Sequence, residues 1–299
     1  MTEKRIRLDG GFHNDIFHLG EEDTVVRISD KKKTKEMVLQ EIEWMNFLHE
    51  HGVAVPKPEM TVGYEDGRVK TSFEFIKGDE IVVTNDLHWN VKTFELWGRV
   101  LGRMHALSKQ YRVDEIKRPI WTVENPDVFR VSGGLLPWVR EKYDHLMMKL
   151  CTYKYSPDTF GLIHNDFHQG NIIITNENTI TTIDFDECSY NWYAQDIAVS
   201  FYHAHWQHNA YNSNTDNFNE TFLSHFFTCY QSENLLHENT IKQIPIFLKL
   251  REIFLYQLFI RKWDLSNLEE WKKYTFQDLE EKIKNQMPYA GITDFSIYV

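Results

Sequence analysis

The 299-residue chain is 42% hydrophobic and 26% charged, ordinary globular usage with length enough for two lobes and a sizeable core. A formal net charge of −11 argues against nucleic acid or an anionic membrane as the main partner, since both ask for a basic face, and leans toward a neutral or cationic small molecule. Three scattered cysteines, Cys151, Cys188 and Cys229, give neither a zinc site nor a disulfide framework.

The charged start, residues 1–9, lacks the apolar segment of a secretory signal, and no later run reaches the ~18 apolar residues of a membrane span. A reducing cytoplasm is the expected setting. Short β-type runs follow at 5–8, 16–19 and 25–28, separated by turn residues. Between the first two lies Asp9-Gly10-Gly11-Phe12-His13-Asn14-Asp15, where glycines would let backbone approach phosphate oxygens and Asn14 would add a donor. An ordinary Asp-Gly hairpin turn reads it equally well. From 35 to 49 the period becomes helical through Val38, Ile42, Met45 and Leu48, and Gly52 ends it. Strands are expected at 60–64 and 69–76 around a Glu65-Asp66-Gly67 turn.

After Lys77-Gly78 the pattern changes. Residues 91–108 predict a long amphipathic helix with Phe94, Trp97, Leu101 and Met104 on one stripe. Helical patterns dominate the rest, interrupted at 162–185 by two β-runs, 172–174 and 180–183, around an Asn-Glu-Asn turn. The expected fold class is α+β, with a small sheet-rich lobe at 1–77 and a larger helical lobe at 78–299.

The densest chemistry lies in that interruption: Leu162-Ile163-His164-Asn165-Asp166-Phe167-His168-Gln169-Gly170-Asn171, an apolar strand, a turn, then Ile183-Asp184-Phe185-Asp186. Phosphoryl transfer needs a carboxylate to receive the proton of the attacking hydroxyl. It also needs oxygen donors to hold magnesium against the phosphates. Asp166 can serve as the first, and Asn171 and Asp184 as the second.

The string His-x-Asp-x-x-x-x-Asn, strand, turn and Ile-Asp-Phe resembles the aminoglycoside phosphotransferase and choline kinase family, relatives of the protein kinases. The resemblance implies a two-lobed protein-kinase-like fold, ATP or GTP and Mg2+ as cofactors, Asp166 as catalytic base, and Asn171 and Asp184 as metal ligands. It further implies His164 as a buried scaffold and Asp196, in Asp196-Ile197-Ala198, as a brace of the catalytic loop. Arg27, in Val25-Val26-Arg27-Ile28, stands where a kinase carries its phosphate-binding lysine. Glu41 is its expected partner, with Glu36 and Glu43 as rivals. Gly11 and Asn14 fall in the phosphate-covering loop. Glu74 and Ile76 fall in the hinge, where backbone groups would meet adenine.

Too little chain separates Asp184 from Asp196 for a protein-kinase activation segment, and Ala-Pro-Glu occurs nowhere downstream, which favours a small-molecule acceptor. Asp186, Glu187 and Trp206, with Tyr190, Trp192, Tyr202 and Tyr256, are candidates to line its pocket and would suit a cationic acceptor. The expected activity is γ-phosphate transfer to a hydroxyl of an aminoglycoside-, choline- or homoserine-like molecule. The alternative is a pseudokinase that binds nucleotide as a regulatory module. Oligomeric state is not readable.

Overall fold

The computed structural model describes residues 5–8, 14–20, 23–125, 128, 131, 133–176, 179–212 and 217–299. The N-terminal region is built on strands β1 (Arg5–Arg7), β2 (Asp15–Leu19), β3 (Thr24–Ile28), β4 (Gly63–Glu65) and β5 (Arg68–Glu74). They form one antiparallel sheet in the order β1-β2-β3-β5-β4. Alternation along β5 buries Val69, Thr71 and Phe73 while their neighbours stay more open. Arg27 lies opposite Thr71 in the β3–β5 register and shares that face, its guanidinium 5.2 Å from the Phe73 ring centre.

Helix α1 (Lys35–Glu50) follows β3. Its N-cap, Thr34, accepts a hydrogen bond from the Met37 amide at 3.3 Å. Val38, Ile42, Met45 and Leu48 are buried, as the helical period predicts, and the same face buries Gln40 and Glu41. The fourth strand begins later than the apolar run at 60–62 suggests, because Glu59 instead donates to the Ser72 carbonyl from outside the β4–β5 pairing.

The C-terminal region is helical: α2 (Val91–Ser108), α3 (Pro137–Leu150), α4 (Tyr193–Tyr211), α5 (Phe218–Gln231), α6 (Glu238–Lys262) and α7 (Glu270–Lys284). The stripe Phe94, Trp97, Leu101 and Met104 of α2 is buried as expected. Helices α2 and α5 approach so closely that a Cβ on Gly98 or Gly102 would collide with the Phe226 and Tyr230 carbonyl oxygens. Only glycine permits that spacing at these positions.

Short strands between α3 and α4 place the site. β7 (Phe160–Ile163) pairs antiparallel with β10 (Ser189–Trp192), and β8 (Ile172–Asn176) pairs with β9 (Thr179–Thr182), with β6 (Asp79–Glu80) added at the edge of β8. The loop from β7 to β8 and the segment from β9 to β10 therefore leave two paired ladders side by side. Sequence periodicity misses β6, β7 and β10, which are too short to show a pattern of their own. Among the described residues no helix is long and apolar enough to cross a membrane.

Candidate active site

The loop after β7 is held from below. Asp196, fully buried near the start of α4, accepts the backbone N–H groups of His164 and Asn165 at 2.9 and 2.5 Å. His105 Nε2 lies 3.3 Å from the same carboxylate, and His105 Nδ1 lies 2.7 Å from the Tyr230 hydroxyl. Burial lowers the His105 pKa against the pull of Asp196, so the ring is neutral, donating from Nε2 and accepting from Tyr230. The two bonds let Asn165 hold a left-handed conformation, φ 77°, which a short amide side chain tolerates. Ser200 adds a bond to the Phe167 carbonyl at 2.8 Å.

This loop is stitched to the segment after β9. His164 Nε2 donates to the Ile183 carbonyl at 3.0 Å, and the Ile183 amide donates to the Asn171 carbonyl at 3.0 Å. Asn165 Nδ2 reaches the Glu187 carbonyl at 3.1 Å. Asn171 Nδ2 donates to the Asp166 carbonyl at 2.9 Å, which leaves its Oδ1 as an acceptor. Asp166, Asn171 and Asp184 are thus brought together from separate parts of the chain.

Asp166 keeps about a third of its side chain open. Arg251 Nη2, from α6, donates to its Oδ1 at 2.8 Å, and His168 Nε2 stands 3.5 Å from its Oδ2. Burial would raise the Asp166 pKa, but Arg251, then His168 and His203, hold the carboxyl well below the usual carboxylate range. His203 is itself kept neutral by burial and by the facing Arg251.

Asp184 takes a left-handed conformation, φ 61°, at the turn between β9 and the next segment. Its surface is exposed to the cleft, yet protein closes around the carboxyl from behind. Loss of hydration and the carboxylates of Asp186 and Asp166 push its pKa up to about 6, against the pull of Arg27. The open side limits the size of this shift, while the adjacent negative charges fix its direction. A carboxylate so crowded, beside a free amide oxygen, offers the hard oxygen donors that a magnesium-class cation prefers, so the residues fit the implied ion. Among the described residues no three His, Cys, Asp or Glu side chains converge into a self-contained metal site.

On the other wall, Arg27 and Glu41 form a buried two-pronged pair at 2.7 and 2.9 Å, while Glu36 and Glu43 point to solvent. Burial works against the Arg27 charge, yet Glu41 and Asp186 raise its pKa above the ordinary value. Asn14 Oδ1 accepts from the Asp30 amide at 2.9 Å, and its side chain also hydrogen-bonds Asp186. Gly11 lies outside the described residues. In the hinge the Glu74 amide is already engaged by the Lys57 carbonyl at 3.0 Å, so of the Glu74 backbone only the carbonyl faces onward, with half-buried Ile76 beyond the strand end.

The acceptor candidates sort differently from expectation. Asp186 is buried and faces Arg27 at 3.7 Å and Lys33 at 3.3 Å. Burial opposes its ionisation, but Arg27, Lys33, Asn14 and Arg118 bring its pKa down to about 2. Glu187 is paired with Lys33 at 3.1 Å. Asp186 is thus committed to Arg27 and Lys33, while Glu187 keeps about half of its side chain open. Trp192, Tyr202 and Tyr256 are core residues. Trp206 is half-buried on α4, its ring 5.9 Å from that of His203, which in turn faces Arg251. His205 and His208 bond to Asn219 and Trp89 rather than to a shared ion.

Three cations escape sequence reasoning. Lys33 is one of three consecutive lysines and nothing marks it. Arg118 lies in an irregular stretch, yet it is buried and donates to the Cys188 carbonyl at 2.8 Å, to the Met37 carbonyl at 3.3 Å and to the Asp186 carbonyl, with Glu41 3.6 Å away. Arg251 sits 85 residues beyond Asp166 on a helix without a motif.

Comparison with known proteins adds to this geometry. The pattern described as the phosphotransferase enzyme family matches residues 4–233. The amicoumacin kinase of Bacillus subtilis (strain 168) is 29% identical over 282 residues, which cover 90% of this chain and 82% of that protein. The structure of an amicoumacin kinase in complex with AMP-PNP, Ca2+ and Ami matches with a TM-score of 0.88 at 26% identity, covering 100% of this chain and 93% of the other. A microcompartment-associated aminopropanol kinase matches with a TM-score of 0.72 at 19% identity, over 98% and 94% of the two chains, a likeness of fold.

Proposed function

The chain belongs to the phosphotransferase enzyme family as a small-molecule kinase, and on that premise we propose that it transfers the γ-phosphate of ATP, with magnesium, to a hydroxyl of a hydroxylated amine of the amicoumacin type. The observation that carries this reading is the joining of Asp166, Asn171 and Asp184 on two stitched loops. The AMP-PNP bound to the related kinase supports an adenine nucleotide over a guanine one. Residues 1–77 form the nucleotide-binding lobe and residues 78–299 the catalytic and acceptor-binding lobe.

Arg27, fixed by Glu41, presents its guanidinium to the phosphates, with Asn14 beside Asp186 on the same side. The backbone from Glu74 to Ile76 takes the adenine edge. Asn171 Oδ1 and the Asp184 carboxylate would hold the magnesium, which would neutralise phosphate charge. Asp166 orients the acceptor hydroxyl and receives its proton as the oxygen attacks phosphorus. A strongly acidic Asp166 is a weak proton acceptor, so its main contribution is position, with proton transfer late in the step.

The test is 31P transfer from ATP to a panel of hydroxylated amines that includes amicoumacin, run with wild type and Asp166→Asn. Phosphorylated product from wild type alone supports the reading. Nucleotide binding without product on any acceptor would instead mark a binding module.

A further inference from the structure

We infer that Arg251 is a specificity-determining residue of the acceptor site, selecting a hydroxyl whose neighbouring carbon carries an oxygen acceptor, either a carboxylate or an amide carbonyl. The inference rests on the kinase reading above and narrows its acceptor.

The argument begins with charge. The acidic side chains that would attract a cation, Asp186 and Glu187, are bonded to Arg27 and Lys33. Arg251 and His168 contact Asp166 directly, His203 faces Arg251, and the Trp206 ring lies beyond it, 5.9 Å from that of His203. His168 stacks on His203 with ring centres 4.6 Å apart. This wall is made of imidazole and indole rings, with Arg251 its fixed charge.

Geometry sharpens the point. Arg251 is buried to 7% exposure, its guanidinium 5.0 Å from the Phe254 ring centre. Nε and Nη2 face His203 Nε2 at 3.2 and 2.7 Å, and Nη2 also holds Asp166. Among the described residues Nη1 has no hydrogen-bond partner. A hydroxyl that reaches Asp166 arrives beside this guanidinium. The group on its neighbouring carbon therefore meets N–H donors and a positive charge. An oxygen acceptor there gains a charge-assisted hydrogen bond and draws Arg251 partly from Oδ1 of Asp166, which frees that oxygen for the hydroxyl. An ammonium in the same place meets like charge.

A set of probes varies that group: 3-amino-2-hydroxypropanamide, its carboxylic acid isoserine, and 1,3-diamino-2-propanol, in which CH2 replaces the carbonyl and the amide nitrogen becomes an ammonium. Phosphate transfer to each is measured with wild type, Arg251→Lys and Arg251→Met. The expected wild-type kcat/KM favours the amide or the acid over the diamine by about 10- to 100-fold. That ratio falls toward one in Arg251→Met. Because it compares two acceptors on one enzyme, the ratio cancels any shared effect on Asp166. The acid and amide arms separate a carboxylate from a carbonyl.

A diamine that matches or outperforms the amide in wild type overturns the inference and leaves the kinase reading standing. So does an unchanged ratio in Arg251→Met. Should Arg251→Met fail to melt cooperatively, the wild-type and Arg251→Lys ratios decide alone. Should no probe be phosphorylated while AMP-PNP binds, the ratio is replaced by probe-induced melting shifts of the AMP-PNP complex. An amide shift larger than the diamine shift, lost in Arg251→Met, upholds Arg251 as an acceptor-binding residue, and equal shifts reject it.

Discussion

Asp166 and Asp184 stand on adjacent loops within electrostatic reach of each other, and their surroundings shift them in opposite directions. Arg251 makes the ionised form of Asp166 favourable in the folded protein. Such a depressed carboxyl contributes stability that is present above its unfolded pKa of about 4 and lost as pH falls toward the lower folded value. The raised Asp184 behaves inversely: its contribution is complete below about pH 4 and lost as pH rises through about 6. At pH 7.5 without nucleotide, Asp166→Asn should therefore lower the melting temperature. Asp184→Asn should raise it, by about 1–3 °C. Calorimetry of both variants reads the two signs, and a destabilised Asp184→Asn contradicts the crowding of that site.

The same crowding predicts a pH dependence in cation binding. A divalent ion must displace the proton of Asp184, so ion-dependent AMP-PNP affinity should be flat above pH 7 and fall about tenfold per pH unit below about pH 6. Isothermal titration between pH 5 and 8 measures it without turnover. Constant affinity down to pH 5 would place the ion on other donors.

Glu41 is buried between two arginines, so its charge is needed. Glu41→Gln should cost about 3–5 kcal/mol in urea unfolding, because it leaves Arg27 and Arg118 facing an amide. The weaker prediction for an exposed ion pair is below about 1 kcal/mol, and a loss that small would show the pair to be hydrated.

Asp196 touches no substrate in the proposed mechanism, yet two catalytic-loop amides rest on it. Asp196→Asn keeps one acceptor oxygen and places an NH2 against the other amide. Turnover number should fall at least tenfold, with KM for ATP changed less than threefold, as expected when positioning rather than binding is lost. Steady-state kinetics over both substrates separates the two parameters.

The helices and the catalytic loop were legible because each rests on local pattern. Val38 to Leu48 and Phe94 to Met104 show their period, and Asp166, Asn171 and Asp184 lie within 19 residues of one another in the sequence. Glu41 is separated from its rivals Glu36 and Glu43 by the family resemblance, and it is Glu41 that α1 buries against Arg27. What stayed hidden depends on contacts distant in the chain. Arg251, Arg118 and Lys33 reach their carboxylates across 85, 77 and 153 residues, and no spacing rule encodes that. Asp186 and Glu187 looked available for an amine because the cations that occupy them could not be foreseen. The short strands β7 and β10 needed each other before either could be recognised.

The position of Arg118 has a consequence for control. Its guanidinium clasps the start of α1 through the Met37 carbonyl and, with the same plane, the segment carrying Asp186. In an enzyme whose equivalent helix is free to swing, activity can be switched by a partner that pushes it in or out. Here Arg118 ties α1 to that segment, so the Arg27–Glu41 pair and Asp186 are held in one assembly.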